Sequence, residues 1–375
     1  MILSDVCEFI VDCPHSTAPD EGEGYPLIRT PNVGKGRLDL NGVHRVSESV
    51  YKQRIQRGAP RANDLIFARE APAGNVALVQ ENQTVCLGQR TVLIRPNVQK
   101  VNPQYLVYYL LSPKPQYELL GTANGATVAH VNLPAIRNLK IELPEKSVQD
   151  KIGTILVTYD DLIENNQKQI KLLEEAAQRL YKEWFVDLRF PGHENTKIVG
   201  GVPEGWRRGL LKELISVNYG KDHKKAPDDG NVPVYGSGGL MRKCNKSLFS
   251  GEAVLIPRKG SLNNIMYVDE TFWTVDTMFY ATMKQPHTAV FVYFFVKAFD
   301  MYSMNIGAAV PSMTTKILDA MDVVIPDKET LEKFDKLTKT YFNKIKTLQG
   351  QNERLKTARD LLLPKLMYET RKGDF

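Results

Sequence analysis

The sequence is poor in the features that mark secreted and membrane-spanning proteins. Four cysteines occur in 375 residues and none forms a CxxC pair, so we expect neither a disulfide framework nor a cysteine zinc site. The most apolar stretch, Ala289–Phe299, is too short to span a bilayer and contains Lys297. The first residues, MILSDVCEF, lack the charged and apolar regions of a signal peptide. We therefore expect a cytoplasmic protein that has no membrane partner.

The common signatures of catalysis are also missing. No Gly-x4-Gly-Lys-Ser/Thr loop is present, and Gly236–Gly239, which lacks the lysine of such a loop, is expected to be a turn. No Gly-x-Ser-x-Gly elbow marks a serine hydrolase. The polar context of Pro227–Asp229 favours a surface loop over a nuclease acid pair. Cys7, Cys13 and His15 have no second ligand pair at a zinc-binding spacing. The sequence therefore predicts no catalytic residue, no metal site and no cofactor bound by this chain.

The composition is that of a folded protein with more than one domain. Hydrophobic residues make up 42% and charged residues 25% of the chain, which is ordinary for globular proteins. A length of 375 residues exceeds one usual core and fits two domains with connectors. The formal charge of +6 and the pI of about 8.9 permit a polyanionic partner without establishing one.

The second half of the chain repeats the first half at a fixed offset. The segment Gly125–His130 matches Gly307–Ser312, 182 positions later, and Pro144 matches Pro326 at the same offset. The register continues through the pairs Lys151/Lys333, Tyr159/Tyr341, Ile163/Ile345, Gln169/Gln351, Leu173/Leu355 and Ala176/Ala358. A gapless match of this length indicates two copies of one unit, each a globular part followed by a long helix. Two similar units suit two similar contacts with one long ligand.

The pattern predicts a first long helix from Ser147 to Phe185. Ser147 and Asp150 have the spacing of a capping box, and no proline follows until Pro191. At ~1.5 Å per residue the helix would be roughly 58 Å long. Its heptad positions are Ile152, Tyr159, Asn166, Leu173 and Leu180, and the stripe is widened by Ile155, Leu162, Ile163, Ile170, Ala176 and Trp184.

A second long helix is predicted from Lys328 to Met367, with Pro364 kinking or ending it. Its heptad positions are Phe334, Tyr341, Leu348, Leu355 and Leu362. Because each helix has one apolar stripe, the simplest burial packs the two stripes together as an antiparallel coiled coil with pseudo-twofold symmetry. Asn166 would then fix the register of the pair. The alternative is two separate helices, each packed against its own domain.

These segments give the predicted domain organisation and fold class. Short β-branched runs such as Leu65–Phe67 and Val254–Ile256 indicate strands, and Pro103–Leu111 indicates a short helix. The parts are a first globular domain at 1–144, a first spacer helix at 145–190, a linker and second globular domain at 191–326, and a second spacer helix at 327–375. The predicted class is α+β, with two mixed domains separated by the helical pair.

Basic residues cluster where loops are expected, accompanied by polar and aromatic neighbours. Arginine suits the two acceptors on a guanine edge, and lysine suits phosphates. Arg69 follows one apolar strand as Arg258 follows another, at a local offset of 189. Taken singly, each such residue is more often a solvated surface charge than a ligand. The candidates for DNA contacts are His15, Thr17, Arg29, Lys35, Arg37, Arg69, Arg90 and Thr127 in the first domain, and Lys221, Lys224, Lys225, Arg242, Lys243, Arg258 and Lys259 in the second.

A set of short sequence segments accompanies the domain–helix–domain–helix plan. These segments are Pro14–Thr17, Tyr25–Asn32, Asp64–Pro72, Cys86–Arg90, Asn138–Pro144, Trp184–Phe190, Pro203–Trp206 and Leu361–Met367. In this plan and in these segments, the chain resembles over its whole length the specificity subunits of type I restriction–modification systems.

The resemblance implies a function for each part. Each globular domain would be a target-recognition domain that reads one half of a split double-stranded DNA target, and the coiled coil would set the gap between the halves. Two modification subunits would dock on this chain and methylate adenine with S-adenosylmethionine. Restriction subunits would add ATP-driven translocation and Mg-dependent cleavage. This chain would catalyse nothing, in agreement with the missing motifs.

The two copies differ most in their globular parts, which predicts unlike half-sites and an asymmetric target. Gly34–Arg37 has no clear counterpart in the second copy, and Thr127 and His130 are replaced by Ala309 and Ser312. Thr127 and His130 are candidates for DNA contacts, or they belong to a plain loop.

Other interpretations of the whole chain stay open from the sequence. The chain could be an orphan DNA-binding protein without a restriction partner, or a coiled-coil assembly protein whose ends bind protein. A cryptic hydrolase would need a catalytic constellation that the sequence does not offer. Salt dependence separates the first two, because DNA affinity falls steeply with salt.

Overall fold

The computed structural model describes residues 1–121, 130–304 and 312–369. The chain divides into two compact units: unit 1 contains Met1–Gln167 and Gln349–Phe375, and unit 2 contains Lys168–Leu348. All four cysteines lie in the described ranges and are free. In those ranges no helix is both long and apolar enough to cross a membrane.

Unit 1 is built around a mixed sheet whose middle strands are apolar on both faces. The strands are β1 (Cys7–Asp12), β2 (Tyr25–Ile28), β3 (Gly36–Arg37), β4 (Arg45–Val46), β5 (Leu65–Ala68), β6 (Val76–Leu78), β7 (Cys86–Leu87) and β8 (Thr91–Pro96). In the described part of unit 1, the larger sheet has the order β1, β8, β5, β6, β3, and a smaller one has the order β4, β2, β7. All four residues of β5 are buried, as expected for a central strand.

Short helices complete the core of unit 1. They are α1 (Glu48–Arg54), α2 (Pro103–Leu111), α3 (Pro113–Gly121) and α4 (Leu133–Arg137). The sequence predicts α2 with the bounds observed. Its N-cap is Asn102, whose side chain accepts from the Tyr105 amide, and Pro103 occupies the first turn. Tyr105, Tyr108 and Tyr109 of this helix are almost fully buried.

Unit 2 contains a larger sheet. Its strands are β9 (Ile198–Val199), β10 (Val202–Pro203), β11 (Arg207–Leu210), β12 (Ile215–Tyr219), β13 (Val232–Gly236), β14 (Gly239–Cys244), β15 (Phe249–Pro257), β16 (Met266–Thr274), β17 (Met278–Met283) and β18 (Asp322–Ile325). Within the described residues, six strands follow the order β12, β17, β15, β16, β13, β14, while β9 pairs with β10 and β11 with β18. The helices are α6 (Ala289–Lys297), which is mostly buried, and α7 (Thr315–Asp319).

The first long helix is α5 (Lys146–Tyr181), which continues as a π-helix over Lys182–Val186. It begins one residue before the predicted start. Ile152 and Ile163 are buried as predicted, but Ile155 and Leu162 are 42% and 46% exposed. The prediction that these two side chains widen the buried stripe is therefore wrong. The heptad pattern identifies the centre of the stripe but does not show how much of the helix surface the neighbouring elements cover.

The second long helix is α8 (Lys328–Glu369). Pro364 lies inside it, so of the two predicted outcomes, a kink or an end of the helix, the end is wrong and the kink stays a prediction. A proline removes one helical hydrogen bond and crowds the preceding turn. Leu366 and Met367, two and three residues further on, are buried in the core of unit 1. Their burial offsets the local cost of the proline and keeps the last turns helical.

The two long helices pack antiparallel within each unit. In unit 1, the Asn166 side-chain amide donates to that of Asn352 at 2.9 Å, and Asp160, earlier in α5, pairs with Arg359, later in α8. In unit 2, the ring of Phe334 lies 5.8 Å from the ring of Trp184. The predicted antiparallel pair is confirmed, and Asn166 lies on the buried stripe as expected.

Candidate nucleic-acid interface

The ends of β5 and β8 bring together residues that are far apart in the sequence of unit 1. The Arg69 amide donates to the Arg90 carbonyl at 2.9 Å, and the Val131 amide donates to the Arg69 carbonyl at 3.0 Å. Arg90 adopts a left-handed backbone, with φ of 63°. This frame places the side chains of Arg69, Arg90 and His130 next to one another.

The Arg69 guanidinium is the centre of this cluster. It donates to the Asp12 carboxylate at 2.7 Å, contacts His130 Nε2 at 2.7 Å and donates to the Val131 carbonyl at 2.8 Å. Its side chain is 12% exposed and that of Asp12 is 14% exposed. Arg69 is thus engaged on every side, while its role as a DNA contact stays a prediction.

The cluster continues from His130 to the surface. His130 Nδ1 lies 2.5 Å from Glu70 Oε1, and the other oxygen of Glu70 pairs with the Arg90 guanidinium. Glu70 is 14% exposed and Arg90 is 63% exposed. We call Asp12, Arg69, His130, Glu70 and Arg90 the first cluster. Only Arg90, among its members, presents most of its side chain to solvent.

Other predicted residues lie beside the first cluster. His15 Nε2 is 3.5 Å from Asp12, and the His15 carbonyl accepts from Gln89, the neighbour of Arg90. Arg29 lies against Gly88, since a Cβ there would be 2.8 Å from Arg29 Cγ. Thr17 is exposed.

The sequence analysis missed Arg54, which positions the loop that contains His15 and Thr17. This arginine is 4% exposed and donates to the carbonyls of Ser16 and Leu87. No sequence pattern connects Arg54 with residues more than thirty positions away.

Arg37 and Lys35 do not join the first cluster. Lys35 is exposed, whereas Arg37 is 17% exposed and pairs with Asp161 and Glu164 of α5. Arg37 therefore attaches β3 to the long helix. The remaining predicted residue of this domain, Thr127, lies outside the described residues.

A buried polar group lies next to that attachment. Tyr108 of α2 donates to the Asp160 carboxylate at 2.6 Å, and Asp160 also pairs with Arg359 of α8. Burial, followed by the Asp160 carboxylate, raises the pKa of the Tyr108 phenol, which therefore remains a donor. The sheet, α5 and α8 of unit 1 are joined by charged hydrogen bonds.

Unit 2 repeats the backbone frame of the first cluster with different side chains. The Met313 amide donates to the Arg258 carbonyl at 2.9 Å, as the Val131 amide does to Arg69. Met313 is 182 positions after Val131. The Arg258 side chain, however, stacks on Tyr219 at 5.5 Å and donates one long bond, 3.3 Å, to the Asp276 carbonyl. The looser sequence match between Arg69 and Arg258 thus corresponds to a shared position in the fold.

Arg242 supports a neighbouring basic loop. Its guanidinium pairs with Asp228 and donates to the carbonyls of His223 and Ala226, 2.8 Å for the latter. These bonds hold the segment that carries Lys224 and Lys225. Arg242 is therefore a brace in this structure, and a direct DNA contact by it stays a prediction.

The other predicted lysines of unit 2 are exposed. Within the described residues, no ion pair involves Lys221, Lys224, Lys225, Lys243 or Lys259. Lys243 lies on β14, whose hairpin with β13 turns at Ser237 and Gly238, as the sequence predicts for Gly236–Gly239. Leu240 and Met241 beside the turn are 60% and 54% exposed. A two-stranded ribbon of this kind fits the major groove.

Within the described ranges, no group of three or more His, Cys, Asp or Glu side chains could hold a metal ion. The polar groups of the first cluster are paired with each other, which suits recognition by directed hydrogen bonds.

Comparison with known families identifies the architecture. The model of the type I restriction modification DNA specificity domain matches residues 1–175 and again residues 203–357. The chain belongs to this family. The resemblance inferred from the sequence segments is confirmed, and the two matches correspond to the two copies of the repeat.

Specificity subunits are found among the relatives of the chain. It is 26% identical to the MjaIX type I specificity subunit of Methanocaldococcus jannaschii, with 87% of this chain and 82% of the relative covered. Identity to the HindI specificity subunit of Haemophilus influenzae is 22%, covering 82% and 86%. The crystal structure of a type I S subunit from M. genitalium shares the fold, with a TM-score of 0.62, 18% identity and coverage of 98% and 95%.

Proposed function

We propose that this chain is the DNA-reading subunit of a type I restriction–modification complex, and that its two domains read unlike halves of one split target. The observation that carries the proposal is the shared frame around Arg69 and Arg258. One backbone arrangement occurs twice, with a network of charged side chains in unit 1 and an aromatic stack in unit 2. Different side chains held at equivalent backbone positions in the two units are suited to contact different base sequences.

The long helices provide a spacer in this proposal. At ~1.5 Å per residue, the 36 residues of α5 span roughly 54 Å. Successive major grooves on one face of DNA are about 34 Å apart. A helical pair of this length would hold two recognition domains over half-sites that are separated along the DNA. The proposed domain boundaries at residues 144, 190 and 326 separate the recognition domains from these spacer helices.

The partners in this proposal are double-stranded DNA, two modification subunits and restriction subunits. In this proposal the modification subunits dock on the long helices, whose exposed apolar side chains are candidates for the contact surface. They include Ile155, Leu162, Leu172 and Leu361. S-adenosylmethionine, ATP and Mg would be bound by the partner subunits, and this chain would carry out no reaction.

Mapping methylated adenines tests the proposal. The chain is co-expressed with its modification subunit in cells without other adenine methylation, and the genome is sequenced by a method that detects the modified base. We expect a split motif with two unlike halves and a fixed gap. A soluble, assembled complex that methylates no such motif would contradict the proposal.

A further inference from the structure

In the first cluster, a continuous line of hydrogen bonds and ion pairs runs from buried residues to one exposed arginine and fixes its position. Asp12, Arg69 and Glu70 are mostly buried, and Arg90 at the end of the line is 63% exposed. One part of the Arg90 guanidinium is held by Glu70. A guanidinium has five N–H donors in a planar fork, more than one carboxylate oxygen can accept.

The partners of His130 determine which of its ring nitrogens donates. Its Nε2 atom lies 2.7 Å from an arginine nitrogen of Arg69. Arginine has donors and no acceptor, so Nε2 accepts. Nδ1 then donates to Glu70 at 2.5 Å. His130 thus connects the fixed guanidinium of Arg69 to Glu70.

We propose that Arg90 is a base-reading residue of the first recognition domain, and that Glu70 and His130 are positioning residues that hold its guanidinium. This inference rests on the proposed function. A guanidinium with a fixed plane can donate two hydrogen bonds to one guanine edge. Asp12 and Glu70 balance the charges of Arg69 and Arg90, so the cluster supplies directed donors and little net positive charge, which favours a base edge over a phosphate.

The experiment uses the full chain assembled with its modification subunits and the target found by methylation mapping. Binding is measured to that duplex and to duplexes with single base pairs of the first half-site replaced. For Arg90→Ala and Arg90→Lys, we expect discrimination at one base pair to fall about tenfold to a hundredfold, since lysine keeps the charge and loses the fork. The control is Arg61→Ala, an equally exposed arginine, at 60%, that pairs with Glu8.

His130→Gln provides the readout that separates positioning from folding. Glutamine has a donor and an acceptor, so it can keep both hydrogen bonds of His130, whereas alanine loses them. Discrimination at the Arg90 position should fall in His130→Ala and be largely restored in His130→Gln. Unchanged discrimination in both Arg90 variants, or an equal loss in His130→Ala and His130→Gln, would overturn the assignment. Absence of any methylated motif with the wild-type chain would instead contradict the proposed function, and the assignment with it.

Discussion

The two units place different side chains at equivalent positions of the helical pair. In unit 1, Asn166 and Asn352 share a buried hydrogen bond. At the offset of 182, their counterparts are Leu348 and Ile170 of unit 2. Leu348 is 2% exposed. The same stripe is thus satisfied by a polar pair in one unit and by apolar side chains in the other.

A second pair of positions differs in the same way. Asp160 of unit 1 pairs with Arg359, and their repeat counterparts are Phe342 and Ala177. Ala177 is buried in the core of unit 2, and Phe342 packs against that core. Unit 1 therefore depends on hydrogen-bonded charge where unit 2 depends on apolar packing.

The loops that carry the candidate DNA contacts differ in the same way. Unit 1 encloses Arg69 in an ion-pair network, whereas unit 2 stacks Arg258 on Tyr219 and exposes several lysines. Buried polar networks are sensitive to the loss of any member, and exposed lysines are sensitive to salt. This difference shows that the same fold can present hydrogen-bond donors in fixed directions in one copy and exposed lysine charges in the other.

The largest expected effect compares the two equivalent arginines. Arg69→Ala removes the guanidinium partner of the mostly buried Asp12 and one partner of His130, so we expect opening of unit 1 to become easier by about 3 kcal/mol. Arg258→Ala removes a ring contact and one long hydrogen bond, and should cost unit 2 about 1 kcal/mol. Hydrogen exchange of the β5 and β15 amides measures both. Equal costs would remove the distinction between the units.

The buried asparagine pair gives the next effect. Asn166→Ala leaves the Asn352 amide buried without a partner and should lower the free energy of unfolding by about 2 kcal/mol. Asn166→Leu with Asn352→Ile installs the residues found in unit 2, and should recover stability to within about 1 kcal/mol of wild type. Urea denaturation followed in unit 1 measures the change. A double variant as unstable as Asn166→Ala would show that the polar pair cannot be exchanged for the apolar one.

The exposed lysines of unit 2 should control the salt dependence of binding. Replacing Lys224, Lys225 and Lys243 with glutamine should reduce the slope of log affinity against log salt by about 2 to 3, since each phosphate contact contributes about 0.9. The matched control replaces Lys212, Lys316 and Lys328, which are also exposed. Titration of the target duplex at several salt concentrations decides this, and a similar slope change in both triple variants would contradict it.

The smallest effect concerns thiol reactivity. Burial raises the pKa of Cys7 to about 12 and that of Cys86 to about 11, so neither forms the reactive thiolate until the pH approaches those values. Both lie in unit 1, and we expect alkylation at neutral pH to follow the opening of that unit. Faster labelling of these two thiols in Arg69→Ala, with Cys244 of unit 2 unchanged, would support the comparison. Rapid labelling of native Cys7 or Cys86 would contradict it.

Features that repeat along the chain could be predicted from the sequence. The offset of 182 and the heptad positions predicted two long helices and their antiparallel packing, because helical periodicity is local. The exposure of Ile155 and Leu162 and the passage of α8 through Pro364 could not be predicted in this way. Both depend on which side chains of other elements cover a given turn.

The candidate recognition site was predicted only in part. Loop positions and residue types pointed to His15, Arg69 and Arg90, which the structure brings together around Asp12 and Glu70. Asp12 lies 57 positions from Arg69, and nothing in the local pattern joins them. The bracing role of Arg242 was missed for the same reason, since a basic residue in a loop has the same sequence pattern whether it contacts a ligand or a neighbouring carbonyl.

Exchange of one recognition domain is the most direct test that the two units read different halves. The second globular region, residues 191–326, is replaced by a second copy of residues 1–144, and the chain is expressed with its modification subunits for methylation mapping. We expect an assembled complex whose methylated target has the first half-site sequence in both halves. An assembled, active complex that still methylates the original asymmetric target would contradict the account.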